Sequence, residues 1–559
     1  MTDDNIILYN NYIINYEKDF PNIRKEGSDL TEKNKNFVIG AFIIAVSHIL
    51  VKVIGALYKI PLDTFILKTE GMGIYNSSYT IYNWLFVVST AGLPVAISKM
   101  VAESRAKGNY DEARKIFRIS QWLLFFVGLV AAGLMFFLAH QFSYVISAPS
   151  SYLTMRCMAP SLLFVSLSSS YRGFYQGQQN MLPTAISEVI EASSKLILGL
   201  SLAYFAMQFY GKVHIASAGA ITGVTIGTVL SFLYLFGYNA VNIRKFPKGN
   251  FEKTLPRGRT VLIRLIKIAI PVTIGVSVFT LTSVIDTAMV MNQLEGLGYE
   301  EAQRLSMFGY LNRAIALFNL PPTIIAAIAV SIVPTIAAAL ALNNNNTAIR
   351  NAKSALRITI LFAVPCAAGI SALAKPILQL LYHDGNYSFL LNVMGIAVVF
   401  VTMVQVCNAI LQACGHVWLP VKNMLIGGIV KIVVNLLLVS RPEWNINGAP
   451  IGTLLCYFTV MSLNIYDLKR ITGMKFEIMS FVIKPVISAL ATAAGAILCY
   501  QLISQYVSSV VVGVAVSIVS GGLFYFLCLF FVKGLERDDI LLLPKGEKIE
   551  RILKKFHLL

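Results

Sequence analysis

Apolar runs of about 20 residues recur along almost the whole chain, separated by shorter polar segments in which many of the lysines and arginines gather. A run of that length crosses the hydrocarbon core of a bilayer as a helix, which bonds all of its own backbone groups. The pattern predicts fourteen such spans, at 37–60, 75–98, 116–139, 152–171, 183–204, 215–238, 262–290, 306–340, 355–380, 389–413, 420–439, 448–465, 481–503 and 510–531. The fold class is an all-α polytopic membrane protein.

Two stretches are written twice. Residues 171–200 align with 408–438 so that Gln176 falls on Gln412, Pro183 on Pro420 and Lys195 on Lys431, at offsets of 236, 237 and 236. Residues 92–120 align with 331–359, with Pro94 on Pro334 and Arg118 on Arg357, at offsets of 240 and 239. Two matches in one order at nearly one offset point to two related halves of roughly 235 residues. Six spans per half is an even number, so the halves are parallel repeats related by an axis along the membrane normal. Spans 13 and 14 have no counterpart in the first half.

Loop charges test this plan independently. With both termini inside, the cytoplasmic loops hold Lys99, Arg105, Lys107, Arg114, Lys115 and Arg118, then Arg172, the connection from Arg244 to Arg259, then Arg350, Lys353 and Arg357, Lys422, and Lys469, Arg470 and Lys475. The outer loops keep Lys68 beside Glu70 and Arg304 beside Glu300 and Glu301. That alternation follows the positive-inside rule. The expected organisation is a cytoplasmic tail (1–36), a first lobe (37–240), a basic cytoplasmic connection (241–261), a second lobe (262–468), spans 13 and 14 (469–533) and a basic tail (534–559). In the last tail Ile549, Ile552, Leu553 and Phe556 stand at helical spacing among lysines, which reads as a helix on the anionic inner leaflet or as a solvated cytoplasmic helix.

Composition agrees: 56% of residues are apolar and 13% charged, which excludes a string of soluble domains. The net charge of +18 follows from basic cytoplasmic loops, so no nucleic-acid partner is expected. The seven cysteines lie in or at the ends of apolar runs without a CxxC pair and read as small core residues. The polar, Asn-rich start of the chain lacks the apolar core and cleavage site of a signal peptide.

Charges inside spans are the informative positions, since each costs about 2.5–3.5 kcal/mol at mid-membrane. Span 1 holds Lys52 and Lys59 on one face, span 8 holds Arg313 and span 7 holds Asp286; span 5 holds Glu188, Glu191 and Lys195, again on one face. Lys52, Lys59 and Arg313 are expected to line a water-filled, anion-attracting cavity between the halves. Lys99, near the end of span 2, reads as a snorkelling side chain or a further cavity cation. Glu191 and Lys195 form an i,i+4 pair that is either a packing clamp or a functional site. Asp286 is a counter-ion for Arg313, or a proton or sodium site. Pro94, Pro271, Pro321, Pro322, Pro334 and Pro365 fall within spans as helix breakers, which suits helices that bend in alternating access.

The chain has no GxxxxGK[ST] loop, so it does not hydrolyse ATP, and no HExxH or Cys/His cluster for a metal. Its outer loops are too short for a catalytic domain, and no enzyme activity or cofactor is expected.

GFYQGQQNMLPTAISEVIE, GLPVAISKMVAE after span 2 and VIGALYKIPL in span 1 resemble the polysaccharide-exporter branch of the MOP superfamily, in the group around stage V sporulation protein B and the MurJ-like lipid II flippases of Gram-positive bacteria. The resemblance covers about 37–531. It implies fourteen helices in two lobes, with spans 1, 2, 7 and 8 around a cationic cavity and spans 13 and 14 forming a groove for a polyprenyl tail. The family's arginine–aspartate pair in helix 1 is matched by Tyr58-Lys59-Ile60, which keeps the cation and loses the adjacent acid. Its helix 8 pair is matched by Asn312-Arg313, and Lys99 matches an arginine at the end of helix 2. The implied activity is export of a lipid-linked sugar, lipid II first, across the bacterial plasma membrane. Membrane potential or an H⁺ or Na⁺ gradient would drive it, with membrane lipids and cell-wall synthesis proteins as partners. The competing readings are a flippase for a capsular or teichoic-type polyprenyl pyrophosphate oligosaccharide, a multidrug antiporter, and a non-transporting scaffold of a wall-synthesis complex.

Overall fold

The computed structural model of the chain describes residues 43, 44, 46–243, 255–341, 344–474, 479–507 and 509–532. The tails expected at 1–36 and 534–559, the beginning of span 1 and the middle of the basic connection lie outside the described residues. Among those described, every regular element is a helix. Ten helical stretches are long and apolar enough to cross a membrane, and the chain is a multi-pass membrane protein.

The first half comprises α1 (46–61), α2 (Lys68–Thr90), α3 (Gly92–Ala106), α4 (Tyr110–Phe137), the short α5 (Ala139–Val145), α6 (Tyr152–Gly177), α7 (Leu182–Ser194), α8 (Leu200–Tyr210) and α9 (Val213–Asn242). The second comprises α10 (Gly258–Gly296), α11 (Glu301–Phe318), α12 (Leu320–Ala341), α13 (Asn345–Ala372), α14 (Ala374–Tyr382), α15 (Ser388–Ala413), α16 (Trp418–Leu438) and α17 (Gly448–Thr472), followed by α18 (Lys484–Tyr506) and α19 (Val510–Phe531). Helices occupy the positions of the predicted spans and generally run past them into the polar flanks. The 61-residue apolar stretch Val46–Ala106 is too long for one crossing; Lys68, at φ 53°, separates its two rods.

Two of the prolines interrupt helices as expected. Pro94 cannot donate to the Thr90 carbonyl, and the helix stops at Thr90 and restarts at Gly92. Pro322 likewise faces Phe318, where α11 ends. Pro271 and Pro365 lie inside α10 and α13, and α12 runs on through position 334, so these three lose one bond without a break.

The two glutamine–proline motifs fold into the same turn. In the first, Asn180 N–H donates to the Tyr175 carbonyl at 3.0 Å and Gln179 N–H to Gln176 at 2.9 Å; in the second, His416 donates to Leu411 at 2.9 Å and Gly415 to Gln412 at 3.0 Å. This is the Schellman pattern, which requires a left-handed residue, here Gln179 (φ 61°) and Gly415 (φ 84°). Gln176 and Gln412 therefore act through their carbonyls as helix stops, and Pro183 and Pro420 sit buried in the first turn of the next helix.

The halves touch at both ends of the bundle. At the Lys68 end α2 and α11 cross backbone to backbone: a Cβ on Gly73 would lie 2.1 Å from the Leu305 carbonyl oxygen, and one on Gly309 would lie 2.1 Å from that of Thr69. Thr69 and Ser306 share a 2.7 Å hydroxyl hydrogen bond between these helices. Nearby, Arg304 donates to the Ser147 carbonyl at 3.2 Å and Ser150 N–H to Glu301 at 2.7 Å. At the other end Gly92 N–H donates to Thr273 at 3.1 Å, and Arg264 pairs with Glu103 at 2.5 Å. Gly73→Ala or Gly309→Ala forces α2 and α11 apart and is expected to cost about 1–3 kcal/mol, read as a lower unfolding midpoint in detergent. Gly133→Ala in α4, where nothing lies within 4 Å, is the control and leaves the midpoint unchanged or raises it.

Candidate functional site

Pro61 removes the hydrogen bond to Leu57, and the chain continues as a π-helical segment, Leu62–Leu67, before turning at Lys68. This segment carries Asp63, only 3% exposed, into contact with α11 of the other half. Arg313, 5% exposed, donates from Nε to both Asp63 oxygens at 3.0 Å and from Nη2 to Oδ1 at 2.5 Å. Its Nη1 lies 3.5 Å from Asp384, which also accepts from the Tyr310 hydroxyl at 2.6 Å. The Tyr310 and Tyr382 rings flank the guanidinium at 5.2 and 4.8 Å. Arg313 is thus locked between two carboxylates. Its expected counter-ion, Asp286, is elsewhere.

Asp286, on α10, accepts from Lys431 Nζ and from Asn435 Nδ2, both on α16 and both at 2.8 Å. The ammonium already neutralises this carboxylate within the second half, which corrects the pairing with Arg313.

Span 5 also pairs differently from its spacing. α7 ends at Ser194, and a π-helical turn, Lys195–Gly199, follows. Lys195 N–H still donates to the Glu191 carbonyl, so the two keep the i,i+4 register, yet their side chains take different partners. Glu191 instead pairs with Arg172 of α6 at 3.1 Å, and Arg172 also reaches Ser187 and Ser231 at 3.1 and 3.2 Å. Arg172 is therefore an internal residue of the bundle rather than a loop charge. Glu188 lies 3.3 Å from His48 Nε2, within ion-pair range but without hydrogen-bond geometry.

Lys195 points over aromatic rings, its Nζ 4.9 Å from the Tyr58 centroid and 5.5 Å from that of Tyr79. These rings belong to a ladder: Tyr58 and Tyr75 at 6.3 Å, Tyr75 stacked on Tyr79 at 5.9 Å, and Tyr79 to Tyr82 at 5.5 Å. Lys59 is beside Tyr58 in the chain, partly buried, and one helical turn before Asp63. Neither lysine has an acid within ion-pair distance among the described residues. Ring faces attract an ammonium but leave its hydrogen-bonding capacity free for a ligand.

Lys195 thus lies over the ring of the residue that precedes Lys59, and Arg313 is bonded to the acid one turn after Lys59. Lys52 on α1 and Lys99 on α3 are exposed and make no ion pair among the described residues. Sequence reading missed Asp63, although it follows Lys59 by one helical turn, because it lies beyond Pro61 in a segment taken as loop. Asp384 carried no signal, and the tyrosine ladder only the i, i+4, i+7 spacing of Tyr75, Tyr79 and Tyr82. Apart from this polar site, an apolar cavity of about 740 Å³ opens between α13, α15, α17 and α18, lined by Val364, Val399, Met403, Met461 and Ala489 among others. A second, of about 320 Å³, lies between α12, α13, α14, α18 and α19.

Losing one member of the buried pair strands the other. Asp63→Asn or Arg313→Met is expected to cost about 3–5 kcal/mol, whereas the double variant Asp63→Leu/Arg313→Met recovers most of it. Thermal unfolding in detergent reads this out; additive losses would show that the two side chains are not coupled.

Comparison with known proteins matches this architecture. Stage V sporulation protein B of Bacillus subtilis is 23% identical over 519 residues, covering 91% of this chain and 98% of that protein. Lipid II flippase MurJ of the same organism is 24% identical over 521 residues, covering 88% and 94%. Among solved structures, lipid II flippase MurJ in an inward closed conformation superposes with a TM-score of 0.66 at 15% identity, covering 87% of this chain and 98% of that one. An inward-facing multidrug resistance MATE family transporter of the MOP superfamily gives 0.62 at 13%, covering 76% and 94%. MurJ and the MATE family protein are transporters rather than enzymes, and the two structures share the fold. Residues 37–340, more than half of the sequence, match the family described as polysaccharide biosynthesis protein, and the chain belongs to that family.

Proposed function

We propose that the chain is a flippase that moves lipid II, the lipid-linked peptidoglycan precursor, from the inner to the outer leaflet of a bacterial plasma membrane by alternating access. The observation that carries this is the Lys59–Lys195 site, two ammonium groups without an acid of their own beside a stack of tyrosines. A pyrophosphate diester with about two negative charges supplies the missing counter-charge, and charge-assisted hydrogen bonds replace its water. Lys52 shares a face of α1 with Lys59, while Arg313 is held by Asp63 and Asp384 toward the Lys68 end. The apolar cavities beside α18 and α19 suit the polyprenyl tail, which stays in a lipid-like setting while the sugar headgroup moves.

In this reading the helices make fourteen crossings, as two parallel six-helix lobes plus two, with both termini and the Glu103 end in the cytoplasm. Relatives named for lipid II transport support lipid II as the first candidate. With the interior negative, moving one net negative charge outward gains roughly 2.3 kcal/mol per 100 mV, so membrane potential or an H⁺ or Na⁺ gradient drives the cycle. Other polyprenyl pyrophosphate oligosaccharides would meet the same cations, and a scaffold would need none.

The test is binding of lipid II and of a capsular-type polyprenyl pyrophosphate oligosaccharide by purified wild type and by Lys59→Ala/Lys195→Ala. Loss of two charge-assisted bonds, about 1.5–3 kcal/mol each, is expected to weaken lipid II binding at least 100-fold. Equal binding of both lipids by wild type would move the function to a broader sugar-lipid exporter. Unchanged transport in vesicles after both potential and ion gradients are collapsed would exclude the proposed drive.

A further inference from the structure

The second half holds a carboxylate that none of the ion pairs above uses. Asp467, partly buried shortly before α17 ends at Thr472, accepts from Asn423 Nδ2 of α16 at 2.8 Å. It has no basic group within ion-pair distance among the described residues. Asn423 Nδ2 also donates to Asn464 Oδ1 at 2.9 Å, and Asn464 Nδ2 donates to Asn408 Oδ1 of α15 at 2.8 Å. Asn423 is 1% exposed and Asn464 fully buried, so the amides are interior groups. The cluster is distinct from the contact of Asp286 with Lys431, which lies more than two turns further along α16 and already has its own cation.

The corresponding junction of the first half is held differently. At the offset of 236 that puts Gln176 on Gln412, Arg172 falls on Asn408 and Ser187 on Asn423. Arg172 brings a guanidinium to the meeting of α6, α7 and α9, where it bonds Ser187 and Ser231 and pairs with Glu191. Where α15, α16 and α17 meet, an acid is present and no side-chain cation accompanies it. Lys422, Lys469 and Arg470, close to the cluster in the chain, are exposed and pair with no acid among the described residues.

The carbonyl oxygen of Asn423 accepts no hydrogen bond among the described residues, although its side chain is buried. A carboxamide keeps its outline when turned by half a revolution about its last bond, and such a turn exchanges nitrogen for oxygen. In Asn423 it replaces the donor that faces Asn464 Oδ1 and Asp467 Oδ2 with a third oxygen. Three oxygens so gathered repel one another unless a cation sits among them. One carboxylate with neutral carbonyl oxygens balances a single positive charge, and an all-oxygen set suits a hard ion.

We propose that Asp467, Asn423 and Asn464 bind a monovalent alkali cation, sodium or potassium, with Asn408 orienting the Asn464 amide. The bound ion clamps α15, α16 and α17 together as Arg172 clamps α6, α7 and α9.

The experiment is thermal unfolding of the purified full chain in detergent, in sodium, potassium and N-methylglucamine chloride at one ionic strength. Wild type is expected to unfold at a higher temperature in at least one of the two alkali salts, by an amount that grows with the logarithm of its concentration. The salt that gives the larger shift identifies the ion. Asp467→Asn removes the charge at nearly constant shape and is expected to unfold at the same temperature in all three salts. Asn408→Arg supplies the guanidinium of the first half; it is expected to match or exceed wild type in N-methylglucamine and to lose the alkali response. A wild-type midpoint indifferent to the three salts would overturn the proposal, and so would an alkali response that persists in full in Asp467→Asn or in Asn408→Arg. Either result leaves the anion-binding reading of the first half standing, because the readout is unfolding rather than lipid binding.

Discussion

A guanidinium drawn out of water must bring its carboxylates with it, and the contact of Arg313 with Asp63 meets that requirement across 250 residues of sequence. It joins the π-helical end of the first rod to a helix of the other half. Around it the packing is correspondingly close: two glycines let α2 and α11 meet without side chains between them, and Thr69 and Ser306 bond across the same crossing. The same bond has an electrostatic effect inside the first half. By holding the Asp63 carboxylate, Arg313 leaves Lys59 without the acid that follows it one turn later.

Lys195 and Lys431 occupy matching places in two stretches of related sequence, after turns with the same hydrogen bonds, yet their chemistry differs. Lys431 meets Asp286 and Asn435 and is neutralised. Lys195, the first residue of a π turn, lies over tyrosine rings and has no acid within ion-pair distance among the described residues. The partners differ, an acid in one half and aromatic rings in the other, and that separates an ion pair from an ammonium group without one. The polar chemistry of the molecule is therefore lopsided, with the open cationic site in the first half.

The helices were legible because a bilayer demands apolar runs of one length, and the glutamine–proline motifs were legible because a Schellman turn fixes hydrogen bonds to a few positions. Side-chain partners were not. The i,i+4 rule assigned Glu191 to Lys195, and the backbone keeps that register; Arg172, Tyr58 and Tyr79, which come from other helices, take the two side chains instead. Asp286 was open as a counter-ion for Arg313 or as a proton or sodium site, since the acids that do hold Arg313 stand in segments read as loop. Lys59 was recognised as a lone cation. Its relation to Lys195, on another helix, is tertiary and lies beyond any local pattern.

The π segment after Pro61 has a consequence during synthesis. Asp63 leaves the ribosome 250 residues before Arg313, an interval of roughly 10–50 s at ordinary rates of elongation. Throughout that time its nearest basic neighbour in the chain is Lys59, one turn away, and the two opposite charges lower the cost of inserting each other into the bilayer. When α11 arrives, the arginine takes over the carboxylate and the lysine is released. Lys59 therefore loses its neighbouring acid only once the helix of the second half that carries Arg313 has been made.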